Sequence, residues 1–434
     1  MKTRNLLYLL LSLGIFASCT PEERDVLDFS HVEIEKVELG ADAEQLVADG
    51  IATLTLDPKL YQVAEGKDGE KVYGKIPVDR ISGDMVKYFL EDGTELEGPE
   101  YRTTDASKGE VSFYITANGM KSDLFTVKLR KPFTEEEYET ITYPVVFHVL
   151  QTTESVSGGK KLDASLIYDF FNTMVNSFER KVVFGPNNVD TRIRFQLAEY
   201  TPSGAKMQEK GINRWARGQY QNEWWYVESD GIEYCIKHDF AKDVLWDYKK
   251  YLNIWIIETM PGTMGTVTKT PQFILAGTEP LQGIPAMREK TEEEFEAMDK
   301  SDWKLSDIGM VFDLNQFSTG DKLLLGQLGQ VGMFFGLLPT EYLGEEGITS
   351  DYCEDTVPYD IYREAWYDNN GNDANNRLKV TENGLLFYST NIMDAYSFRN
   401  AITMDQMKRI RTITDNCPLR WAWKSKWAFT GKED

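Results

Sequence analysis

The side chains that most often hold catalytic metals are scarce in this sequence. Its 434 residues contain three histidines, His31, His148 and His238, and no two of them stand at the i, i+4 spacing that puts a pair on one helix face. Asp351, Glu354, Asp355 and Asp360 crowd one short segment. Hard carboxylate oxygens gather in this way around calcium, but such a run more commonly forms a solvated loop, and that reading is preferred. Trp215, Tyr220, Trp224, Trp225 and Tyr226 form an aromatic group. Rings in that density either stack on sugars or peptides or pack over a sheet, and the pattern does not separate the two. There are four cysteines, Cys19, Cys235, Cys353 and Cys417. A formal net charge of −23 argues against a nucleic-acid partner, whose affinity for protein comes mainly from clustered Lys and Arg.

The N-terminus explains one cysteine. Lys2 and Arg4 precede an apolar stretch from Leu6 to Phe16, followed by Ala17, Ser18 and Cys19. This is the order of a secretory signal, too short to span a bilayer. Its small-small-Cys ending resembles a bacterial lipobox, which implies removal of residues 1–18 and acylation of Cys19. Residues 19–28, including Thr20-Pro21-Glu22-Glu23-Arg24-Asp25, then read as a tether, and their acidity is similar to surface-export signals of Bacteroidota lipoproteins. No later run is apolar and long enough to span a bilayer, so the expected localisation is the outer membrane by lipid anchor, with surface exposure open. With Cys19 consumed, Cys235, Cys353 and Cys417 leave an odd number, and their spacing does not choose a bridged pair.

Behind the tether the hydrophobic period is two. Short alternating segments run over 31–39, 51–56, 72–78, 85–90, 111–117 and 124–129, with turn signals at Asp92-Gly93 and Asn118-Gly119. About a hundred residues with six or seven strands predict an all-β immunoglobulin-like sandwich over 29–132. Pro132 and the charged Thr134-Glu135-Glu136-Glu137 end that pattern. From 133 to 434 the chain reads as α/β. Tyr143 to Leu150 is a nearly unbroken apolar run, as in a strand buried on both faces, and Asp163 caps a helix with Ile167, Phe170, Met174 and Phe178 on one stripe. Strands follow at 192–200 and 252–258.

Several blocks of this second region, in order, resemble the pappalysin-like branch of the metzincin zinc proteases, found as lipoproteins in Bacteroidota. They are Tyr143 to Leu150, Thr191 to Ala198 with Gly211-Ile212-Asn213-Arg214, Tyr251 to Trp255, Asp351 to Pro358, and Ser389 to Asp394. The resemblance implies a metzincin-like (zincin) domain and a zinc helix of the form HExxHxxGxxH. In that motif two His one turn apart and a third beyond a glycine turn hold the metal, while the Glu serves as general base. The segment in the corresponding place is Leu328 to Pro339. Gly336 matches the turn, but Gly329, Met333 and Pro339 stand at the ligand positions and Gln330 at the base. Gly and Pro bring no side-chain donor, a lone thioether is a poor zinc ligand, and an amide takes no proton. The family's Met-turn survives as Asn391-Ile392-Met393-Asp394, while its tyrosine is replaced by Ala395, with Tyr396 displaced by one.

The expectation is therefore an anchored envelope protein on a protease scaffold that has lost zinc and hydrolysis. It binds peptide or protein, along an edge strand of the former cleft, and Met333 packs towards Met393 where the ion once lay. Two rivals are kept: a working zinc peptidase with ligands such as Asp313, Asp321 or Glu341, and a glycan-binding surface lipoprotein.

Overall fold

The computed structural model describes residues 33–65, 71–77, 80–81, 85–182, 185–217, 227–228, 231–232, 244–258, 268–299, 303–314, 321–342, 350–356, 359–360, 378–380, 386–388, 390–394 and 400–433. The expected signal and tether, Cys19, Cys235, His31, His238, Ala395, Tyr396 and the aromatic group other than Trp215 lie outside them. Among the described residues no helix is long and apolar enough to cross a membrane. The chain divides into two compact units: residues 1–40, 56–99 and 112–125 form one, and residues 41–55, 100–111 and 126–434 the other.

The described secondary structure of the first unit is almost entirely β. Strand β1 (Lys36–Ala41), β2 (Leu54–Glu65), β3 (Lys71–Lys75), β4 (Val86–Leu90) and β5 (Glu110–Ala117) carry it. β2 pairs antiparallel with β3, and β4 with β5. Every second residue of such a strand faces inward, so Val86, Ile115 and Ala117 join Ile34, Leu60 and Ile76 in one core. β2 runs on to Glu65, well past the end expected at residue 56.

The second unit is mixed α/β and built on a parallel sheet. β6 (Ile141–Thr152) is its centre. Along one side lie β7 (Ile193–Leu197), beside the first half of β6, and β8 (Ile212–Arg217), beside the second. Along the other side follow β9 (Leu252–Ile257) and β10 (Gly309–Asp313), every pairing parallel. Parallel strands are covered on both faces, which is why β6 reads as one apolar run: all of its residues but Thr142 are buried.

Helix α1 (Ala164–Phe178) starts at Asp163, whose carboxylate accepts the Ser165 N–H at 2.9 Å. Its buried stripe, Ile167, Phe170, Met174 and Phe178, is the one read from the sequence. The Phe170 ring meets Phe147 and Phe312 edge-on, and Phe178 meets Phe195 and Phe335. Each aromatic side chain so buried contributes roughly 1.5–3 kcal/mol from the area taken out of water. On the opposite face Trp255, Ile257 and Val311 form a second core with Ile308, Ile413 and Leu419.

Candidate functional site: a helix, a glycine turn and a methionine turn

Helix α2 (Asp321–Phe334) crosses the first of these cores, with Leu328, Val331 and Phe334 buried in it. It ends in a left-handed glycine cap. Gly336 has φ +89°, its N–H donates to Met333 O at 2.9 Å, and Leu337 N–H donates back to Gly332 O at 3.0 Å. A Cβ at Gly336 would also fall 2.8 Å from Ile413 and 2.9 Å from Leu281, so conformation and space both demand glycine there. Two arginines close the carbonyl end of the helix. Arg420 Nε donates to Phe334 O at 3.0 Å, with its guanidinium 3.5 Å over the Phe334 ring, and Arg409 Nη2 donates to Gly336 O at 3.0 Å. Cations placed at a helix C-terminus complement its dipole as well as its unpaired carbonyls.

The methionine turn is fixed from a neighbouring helix, α3 (Met404–Asn416). Thr403 caps α3, and Gln406 completes the capping box. The Gln406 and Asn391 amides are paired both ways, Nδ2 to Oε1 and Nε2 to Oδ1, each at 2.9 Å. Asn391 Oδ1 also accepts the Met393 N–H at 2.9 Å, and Asp394 accepts the Asn391 N–H at 3.2 Å. Thr340, one residue past the glycine-turn segment, donates its hydroxyl to Asp394 and its N–H to Met393 O. Helix end, loop and turn are thereby one hydrogen-bonded piece.

Inside this piece Met393 is almost wholly buried, and its Sδ lies where a Cβ on Gly332 would clash. Of the residues singled out in the sequence, Gly329 is buried, Gln330 and Pro339 are partly exposed, and Met333 packs, partly buried, against the core cluster that contains Met393. The close approach of the Met393 sulfur is thus to Gly332, one residue before the position expected. A zinc ion does not fit these residues: none of Gly329, Gln330, Met333 or Pro339 brings a strong donor for it, and a thioether is seated beneath the helix. Among the described residues no group of three or more His, Cys, Asp or Glu could hold a metal. Asp313 is buried at the end of β10, while the side chains of Asp321 and Glu341 lie outside the described residues.

His148 is far from a ligand's role. It is wholly buried on β6, stacked on Trp255 and edge-on to Trp246. Asn253 Nδ2 donates to the carbonyls of Trp246 and Tyr251, which turns its Oδ1 towards His148 Nε2 at 2.9 Å. His148 Nδ1 faces Asn213 Nδ2 at 3.0 Å. These partners select the neutral Nε2–H tautomer, and burial pulls the imidazole down to about 4.

The acidic segment differs from the solvated loop preferred from the sequence. Asp351 and Asp355 are buried. Asp351 accepts the Thr356 hydroxyl at 2.9 Å and the Cys353 N–H at 3.1 Å, and burial lifts it to about 6. Asp355 accepts the Thr403 hydroxyl at 2.7 Å and the Asp405 N–H at 2.9 Å. Arg130 bridges Asp355 at 3.2 Å and Asp405 at 2.7 Å. For Asp405, burial works against the charge, but the bonds to Arg130 and Lys408 outweigh it and bring the carboxyl to about 2. The cluster is a strut of internal ion pairs, with only Glu354 well exposed, and the Asp360 side chain lies outside the described residues. Cys353 and Cys417 are both buried free thiols, raised by burial, so they are not bridged to each other. Trp215 packs against the second core.

What the sequence reading missed were the parts that hold the site: Gly332, Thr340, the Asn391–Gln406 pair, Arg409 and Arg420. A signal existed for the first, because a second glycine three residues after Gly329 is unfavourable inside a helix and hints at a packing reason.

No protein-family profile matches the chain, and no curated protein does. Among solved structures the chain is similar to mature mirolysin of Tannerella forsythia in complex with a cleaved peptide, at a TM-score of 0.40 and 19% identity over 68% of this chain and 98% of that one. It is similar to a promirolysin variant of the same organism at a TM-score of 0.41 and 18% identity, over 67% of this chain and 86% of that one. Mirolysin with a bound compound gives a TM-score of 0.41 and 18% identity, over 67% and 97%.

Proposed function

We propose that this is a lipid-anchored envelope protein whose second unit is a metzincin-like scaffold turned from hydrolysis to binding. The observation that carries the reading is the seat of Met393 against Gly332, beneath a helix that ends in the Gly336 turn. The helix, the turn and the methionine lie in the order that the sequence blocks imply, yet Gly329, Gln330, Met333 and Pro339, at the positions of the ligands and the base, bring no strong zinc donor and no group that takes a proton from water. The ligand is a peptide or a protein segment. An extended segment adds to a sheet through backbone pairing and needs no metal. Gly309–Asp313 of β10, the edge strand among the described residues, are all buried, so a ligand reaches that edge by displacing what covers it. Residues 29–132 serve as an immunoglobulin-like spacer, and Cys19 carries the lipid that holds the chain to the outer membrane.

The test is to incubate the mature protein with a mixed peptide library and follow both capture and cleavage. Retained, intact peptides support the reading. Cleaved peptides that disappear when a chelator is present overturn it in favour of a peptidase with unorthodox ligands, and retention of glycans alone overturns it in favour of a glycan-binding lipoprotein.

A further inference from the structure

A cavity of about 460 Å³ opens in the second unit, and none of its lining residues belongs to the helix, the glycine turn or the methionine turn described above. The volume suits a small ligand or one or two residues of a peptide. Its apolar lining comes from Val47, Ile51, Pro132, Phe133, Val189 and Met407. Three guanidiniums join them, from Arg180, Arg192 and Arg194.

The arginines differ in how they are held. Arg194 is gripped by both oxygens of Asp190, at 2.8 and 2.7 Å, and Arg180 is paired with Asp49, with side chains that are 7% and 17% exposed. Arg192 is paired with Glu135, a side chain 64% exposed, and donates besides to the carbonyls of Tyr138 and Phe133 at 3.3 Å. The other oxygen of Glu135 accepts the Thr140 N–H at 3.0 Å. One guanidinium and one backbone N–H therefore form a two-pronged cradle with a carboxylate in it. That carboxylate sits on a mostly exposed side chain. Burial and the neighbouring Arg194 and Arg411 all weigh against the charge on Arg192, so an anion is favoured there.

The backbone points to the same place. Arg180 and Arg192 have φ of +53° and +58°, and they are two of the four described non-glycine residues with positive φ. Glycine would take those conformations at lower cost, and strain of this kind collects at binding sites.

We infer that this cavity binds an apolar ligand ending in a carboxylate, such as the C-terminus of a peptide, and that Glu135 occupies the carboxylate cradle of Arg192 and Thr140 until the ligand displaces it. The apolar wall takes the last side chain. The ligand carboxylate replaces that of Glu135 atom for atom in the cradle, so no guanidinium is left unpaired.

The test is calorimetric titration of the full mature chain with N-acetyl-alanyl-leucine as free acid and as C-terminal amide. The free acid should bind saturably and the amide at least about tenfold more weakly, about 1.4 kcal/mol. Glu135→Gln removes the internal competitor from an exposed position where folding is not at stake, and should tighten binding of the acid severalfold. Arg192→Gln should abolish it. Equal binding of acid and amide, no binding of either, or an affinity unchanged by Glu135→Gln overturns the inference. Each of those results leaves peptide pairing along β10 untouched, because that strand shares no residue with the cavity.

Discussion

Gly332 and Met393 form the smallest unit on which the account depends. A methyl at Gly332 has to displace the Met393 sulfur from a packed core, and overfilling of this kind costs about 1–3 kcal/mol. Gly332→Ala should lower stability by that amount in urea unfolding. Met393→Ala should cost about 2–5 kcal/mol by leaving a cavity. The double variant should cost less than the two together, since the new methyl enters the space the thioether has left. Additive costs would separate the two residues and undo the packed-site description. His148 supplies a second test at this scale. Its folded pKa, about 4, lies below the ~6.5 of an unfolded chain, so the unfolded state binds more protons between those values and stability falls as pH falls through that window. Asp351 has the opposite sign: lifted to about 6, it is protonated first in the folded state and adds stability as pH falls from about 6 towards 4. Compared with His148→Gln, the wild type should therefore lose about 2 kcal/mol on going from pH 7 to pH 5. A parallel pH dependence of the two would mean that the imidazole is solvated.

At the scale of elements, α2 and the methionine turn are held by α3 and the segment after it. Gln406→Ala leaves the buried Asn391 amide without its reciprocal partner, at about 1–3 kcal/mol, and also removes the capping box of α3. It should loosen Met393 along with α3, so that amide exchange rises at residues 391–394 and at the start of α3 together. Exchange rising in α3 alone would show that the turn does not hang on that helix. Much of this architecture was legible beforehand. The apolar run of β6 and the stripe of α1 carry their own signals, and Gly336 stands at the turn position of the motif that the sequence blocks resemble. The supports were not legible, because Gln406, Thr340 and Arg420 reach the site from distances of 15 to 86 residues along the chain, which no local spacing encodes. The acidic segment was misjudged for the same reason: Arg130, 225 residues from Asp355, makes a buried strut of what looks locally like a solvated loop.

For the whole molecule, the proposed anchor and the proposed loss of metal carry the functional reading. Cys19→Ala should leave the protein in the soluble envelope fraction, while continued sedimentation with membranes and uptake of labelled palmitate would remove the lipobox reading. The surplus of negative charge, −23, keeps such a chain away from polyanions. Everything else rests on the absence of zinc chemistry at the helix, which one measurement addresses directly: the zinc content of the mature protein purified without added metal, read together with its melting temperature in chelator. The account predicts well under one zinc per chain and an unchanged melting temperature, because a group that binds only the folded state would otherwise stabilise it. One zinc per chain, with a melting temperature that falls on chelation, would contradict it.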